Sequence, residues 1–169
     1  MDNISFETAI ARTELLLTEY QEQKLTPEAL QKAVTALLTT SNGARGFFVT
    51  FLTGGWQLAD QPSAEIMAAL DTAPTPSAEL MVKNLVMSTG MAITHTRQGD
   101  LQQANQSRLV AQRSLNILTQ WQSPLVQQIA RAMYASATQG IGEYTEFLRK
   151  WGYDQEQLTA IAQALQPLI

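Results

Sequence analysis

Apolar positions fall at helical spacing along nearly the whole chain, and their densest run suggests the architecture. In residues 80–97, LMVKNLVMSTGMAITHTR, Leu80, Met81, Val82, Leu85, Val86, Met87, Met91, Ala92 and Ile93 cover more than one face of a helix. A helix that is apolar round most of its circumference is a buried one. The pattern predicts a central helix over about 76–97 with the other helices packed around it.

The flanking segments carry single stripes. Residues 4–22 place Phe6, Ala9, Ile10, Leu16, Leu17 and Tyr20 on one side and Glu7, Glu14, Glu19 and Glu22 on the other. Thr26-Pro27 opens a second helix, with Thr26 as its cap and Pro27 at the first position, where a missing N–H removes no bond. Leu30, Val34, Leu37 and Leu38 form its stripe, and 39–43, TTSNG, ends it. Residues 44–59 are ambiguous. Phe47, Phe48, Val49, Phe51 and Leu52 make a short buried helix stopped by Gly54, or a hairpin turning at Gly54-Gly55. A lone hairpin is marginally stable and every other segment is helical, which favours the helix.

PSAEIM at 62–67 and PSAELM at 76–81 repeat the same letters. Two copies are too few for a solenoid, so they are expected to be two helix starts with shared chemistry: proline early and glutamate near the positive dipole end. Ser88-Thr89-Gly90 thins the central helix and invites a close crossing, for which the small residues of 130–137 are the expected partner. Asp100 with Gln103, Ser123-Pro124 and Asp154 with Gln157 start three further helices. Leu101, Ala104, Ala111, Leu115 and Leu118 are expected inside the first of these. Tyr144, Phe147, Leu148 and Trp151 are expected to be buried in a short helix over 143–151. The fold expected is all-α, a compact bundle of seven to eight helices in a single domain spanning 1–169.

Composition narrows the function. The chain has 169 residues, enough for a substantial core. Charged residues are only 15% of it, well below the usual share of about a quarter, so little repulsion opposes association. A net charge of −4 argues against a nucleic-acid partner. Residues 80–142 carry five bases and one acid, against ten acids and four bases over 1–79. That asymmetry suits acidic outer helices on a basic middle, or a groove for an anion. Without cysteine there are no disulfides and no thiolate chemistry. The longest apolar stretch, about 15 residues, contains Lys83 and Asn84 and is shorter than a membrane span. The amino terminus has no basic and apolar leader pattern. Together these point to a cytoplasmic protein.

Candidate chemistry is sparse. His95 is the only histidine and sits where the central helix's dipole favours a cation. No nucleophile with an orienting acid surrounds it in sequence, and one histidine without cysteine is too few for zinc. Glu143/Glu146 and Glu19/Glu22 have surface spacing and lack the Glu-x-x-His of di-iron bundles. Asn42-Gly43-Ala44-Arg45-Gly46 is no P-loop, though Arg45 at a helix start could assist an anion. No cofactor, metal or catalytic residue is therefore expected. The sequence favours a non-catalytic interaction or regulatory module with a protein partner or a second copy. The alternative is a binding protein for a hydrophobic or anionic small molecule. Arg45, Phe48, Phe51, Trp56 and His95 are the candidate contact residues.

Overall fold

The computed structural model describes residues 3–169. Among them are ten α-helices and no strand: α1 Phe6–Gln21, α2 Pro27–Leu38, α3 Ser41–Thr53, α4 Gln57–Asp60, α5 Ala64–Thr72, α6 Pro74–Arg97, α7 Leu101–Trp121, α8 Pro124–Gln139, α9 Thr145–Lys150 and α10 Gln155–Leu165. Only α4 and α9 are shorter than seven residues, so eight substantial helices remain, as the periodicity predicts. The ambiguous stretch is helical. Thr40 caps α3 by accepting from the Gly43 N–H at 3.0 Å, and Gly54 ends it. Ser41, Asn42 and Gly43, expected to terminate α2, are the first turn of α3.

The central helix behaves as its pattern requires. From Leu80 to His95 of α6 no residue is exposed. Thr75 lies outside helical geometry, so the regular helix begins after it.

Contacts divide the chain into two compact units, Met1–Leu80 and Met81–Ile169. In the first unit α1 packs on α3, and α2 on α5, α3 and α1. The α1–α3 crossing is close because Gly46 has no side chain: a Cβ there would lie 2.4 Å from the Cβ of Ala9. The core of this unit includes Leu30, Leu38, Phe47, Phe48, Phe51 and Ile66.

In the second unit α8 packs on α10 and α9, and the carboxy-terminal turn at 166–168 packs on α7, α8 and α10. Asp154 and Gln157 form the expected capping box on α10. Two apolar expectations fail by direction rather than by element. Leu101 is 62% exposed and Trp151 is 43% exposed, while Ile117 and Trp121 take the inward positions on α7. Leu101 lies in the first turn of α7 and Trp151 just beyond the last residue of α9, where fewer neighbours are available to cover a side chain.

The repeated hexapeptide plays two parts. Ser63 caps α5, accepting from the Ile66 N–H, whereas the Ser77 hydroxyl is buried inside α6 with no hydrogen-bond partner among the described residues. Threonine hydroxyls at 53, 72, 119, 138 and 159 turn back onto the carbonyl four residues earlier in their own helices.

Candidate functional site

Residues 44–56 hold the chain's densest aromatic cluster, and helical geometry sorts it. Positions 47, 48 and 51 share one face of α3. Phe47 stacks on Phe51 with ring centroids 5.0 Å apart and meets Phe48 edge-on at 5.2 Å. All three are fully buried. Phe48 and Phe51 therefore build the core and offer no surface to a ligand. Arg45 points away from this face, its guanidinium over the Phe6 ring at 5.1 Å, a cation–π contact that ties the start of α1 to α3.

Trp56 is different. Its indole folds back over Gly54, where a Cβ would lie 2.2 Å from Nε1. That nitrogen donates to the Thr50 carbonyl at 3.1 Å. So held, Trp56 lines a groove of about 510 Å³ with Leu17, Tyr20, Gln21, Gln23, Leu25, Pro27, Gln57, Leu58 and Gln61. The lining contains two aromatic rings and four glutamine amides and no charged side chain.

A second groove, of about 700 Å³, runs along α1 and α2. Ile4, Leu15, Leu16, Ala33, Ala36 and Leu37 make its lining largely apolar, with Thr39 and Thr40 beside them. Arg12 and Glu19 are its charged residues. Leu15 is 59% exposed. Its cause is local: Leu15, Leu16 and Leu17 are consecutive, and a helix cannot turn three successive side chains into one core. Leu16 and Leu17 go in and Leu15 is left out.

In the second unit the thinned part of α6 receives α10. At Gly90 the near neighbour is not the small-residue run of α8 but Tyr153, whose ring lies 2.4 Å from where a Cβ would stand. Gln157 is buried and donates through Nε2 to the Gly90 carbonyl at 3.0 Å and to the Thr94 hydroxyl at 2.9 Å. Arg97 closes the outside by donating to Asp154 at 2.6 Å and to Glu156. The bond from Arg97, helped by the Gln157 N–H, holds the Asp154 carboxyl below the usual range. This pair is exposed, so its contribution to stability is small. His95 is half-buried, and its Nδ1 has no hydrogen-bond partner among the described residues. No group of three or more histidine, aspartate or glutamate side chains that could hold a metal ion occurs among the described residues.

Tyr153 yields a pH prediction. Its hydroxyl is buried without a partner among the described residues, and burial pushes its pKa up to about 12 from 10.0. The unfolded chain then ionises first. Stability is complete below about pH 10 and declines as pH rises towards 12. Tyr153→Phe removes both the ionisable group and an unsatisfied hydroxyl. It should weaken that alkaline decline and leave the neutral-pH melting temperature equal or higher; a clearly lower value would mean that the hydroxyl is bonded.

Residues 5–168 match the model of a family described as Uncharacterised conserved protein UCP020893. The chain belongs to that family. No curated protein and no solved structure matches it. The family's description assigns no chemistry, so function rests on the geometry above. No helix among the described residues is long and apolar enough to cross a membrane.

Arg45, Phe48, Phe51 and Trp56 lie in the first unit and His95 in the second. Of the first four, Trp56 lines one of the two grooves described above, and the other three line neither. Sequence reasoning missed Leu15, Ala33 and Ala36. The leucine triplet was the available signal for Leu15, whereas the alanines matter only once α1 lies beside α2.

Proposed function

We propose that this protein is a non-catalytic interaction module and that its contact face is the α1–α2 groove. One observation carries the reading: a largely apolar groove of about 700 Å³ with Leu15 standing 59% exposed beside it. Exposed apolar surface gathered in one place is characteristic of contact with another molecule. The low charge content of the chain, 15%, works in the same direction, since weak repulsion leaves association unopposed.

A second reading, a small-molecule binding protein, is favoured by the Trp56 groove. Its volume of about 510 Å³ falls within the range of ligand pockets. Two rings and four amides without a charge suit an uncharged, flat ligand.

Native mass spectrometry of protein gently purified from its own cells separates the two. The interaction reading expects a complex with a protein chain, its own or another, that disappears in Ala36→Glu, a change that puts a charge on the groove lining. Survival of the complex in that variant would sink it. A small-molecule adduct on a monomer, lost in Trp56→Ala, would install the second reading instead.

A further inference from the structure

The stripe of α1 that borders the groove has a symmetry of its own. Arg12, Leu15, Leu16 and Glu19 lie at helical i, i+3, i+4, i+7 spacing, which places them on one face. Arg12 and Glu19 are two turns apart, and the two leucines lie midway between them. Neither charge has an ion pair among the described residues, although nearby Glu22 is engaged by Lys24 at 2.5 Å. The outer position of the same stripe on α1, Thr8, is uncharged.

If two such helices run antiparallel about a two-fold axis between Leu15 and Leu16, each Arg12 faces the other copy's Glu19. Leu15 of each copy then projects into the other's groove, over the buried Leu16 that forms part of its floor. A parallel arrangement in register would set arginine against arginine and glutamate against glutamate. The charge pattern thus selects one orientation, as electrostatic complementarity does at interfaces generally. The relief agrees with it. Leu15 projects, while Ala33 and Ala36 leave α2 low beside it, so one face carries both a knob and a recess. A surface complementary to itself is what an isologous two-fold contact requires.

We propose that a second copy of this chain occupies the α1–α2 groove, in an antiparallel α1–α1 pair with two Arg12–Glu19 contacts across the two-fold. This rests on the groove being a protein-contact face, and names the partner.

Analytical ultracentrifugation of the full chain tests it by charge exchange. Wild type should self-associate as a dimer. Arg12→Glu replaces two attractions by two repulsions and should raise the dimer dissociation constant about tenfold or more. Glu19→Arg should do the same. The double variant R12E/E19R restores opposite charges across the axis and should return association to near the wild-type value. Both positions lie on the surface stripe, and circular dichroism of each variant verifies the fold. Because either single variant suffices, misfolding of one leaves the other and the double to decide.

A wild type that stays monomeric throughout overturns the pairing, as does a dimer indifferent to both single changes or a double variant that fails to recover. If wild type is monomeric while a complex with a different protein is still lost in Ala36→Glu, the self-pairing falls and the contact face stands. If both assays show no association, the interaction reading falls with it.

Discussion

Phe47→Ala is expected to lower stability by about 3–5 kcal/mol, the range for a large aromatic truncated in a core. Phe47 is fully buried, stacked on Phe51 and met edge-on by Phe48. Its removal takes away the ring both neighbours lean on, and α3 is a rigid helix that cannot close the gap. For a chain of this size, a loss of about 4 kcal/mol corresponds to a melting temperature roughly 8–16 °C lower. Calorimetry would show it. A drop of only a degree or two would mean that the cluster is loosely packed and available to a ligand after all, reviving Phe48 and Phe51 as contact residues.

Gly46→Ala should also destabilise, against the usual rule. Alanine within a helix is favoured over glycine by about 1 kcal/mol, and Gly46 has ordinary helical surroundings in α3. The added Cβ, however, would stand 2.4 Å from the Ala9 Cβ and 3.0 Å from the Ile10 nitrogen. Backbone and a short side chain cannot swing aside, so α1 and α3 must separate, an overpacking penalty of about 1–3 kcal/mol. The penalty exceeds the propensity gain. Ala9→Gly in the same molecule removes the struck atom and should recover part of the loss, a coupling that a double-mutant cycle measures. A stabilised Gly46→Ala would show that α1 and α3 can move apart at little cost.

Much of the fold was legible because its starts are chemically marked. Thr26-Pro27 and Asp154 with Gln157 cap helices where their letters say they should. The buried α6 announced itself by apolar residues on several faces. Ser41-Asn42-Gly43 misled because these residues weakly favour turns, and a single cap at Thr40 with the buried face of α3 behind it outweighs that preference. Gly90 was legible as a close approach but not by whom: the partner, Tyr153, lies 63 positions away in sequence, and nothing local encodes it. The candidate site was less readable still. Three phenylalanines and a tryptophan within ten residues could serve a core or a pocket. The face of α3 sent three to the core, and the fold of Trp56 over Gly54 sent the fourth to a groove. The α1–α2 groove is a property of two helices lying side by side, and its alanines carry no signal until they do.

The back-bonded threonines change what water meets at the protein's surface. Hydropathy values credit each threonine with a hydrated hydroxyl, and on that basis the chain's mean hydropathy is −0.10. At Thr53, Thr72, Thr119, Thr138 and Thr159 the hydroxyl is occupied by the residue's own helix although the residue is exposed. The proton is spent on the helix's own carbonyl, so each hydroxyl meets water only as an acceptor. The helices therefore wet less readily than their letters suggest, and keeping the molecules apart in a crowded solution falls to glutamine side chains and a net charge of only −4.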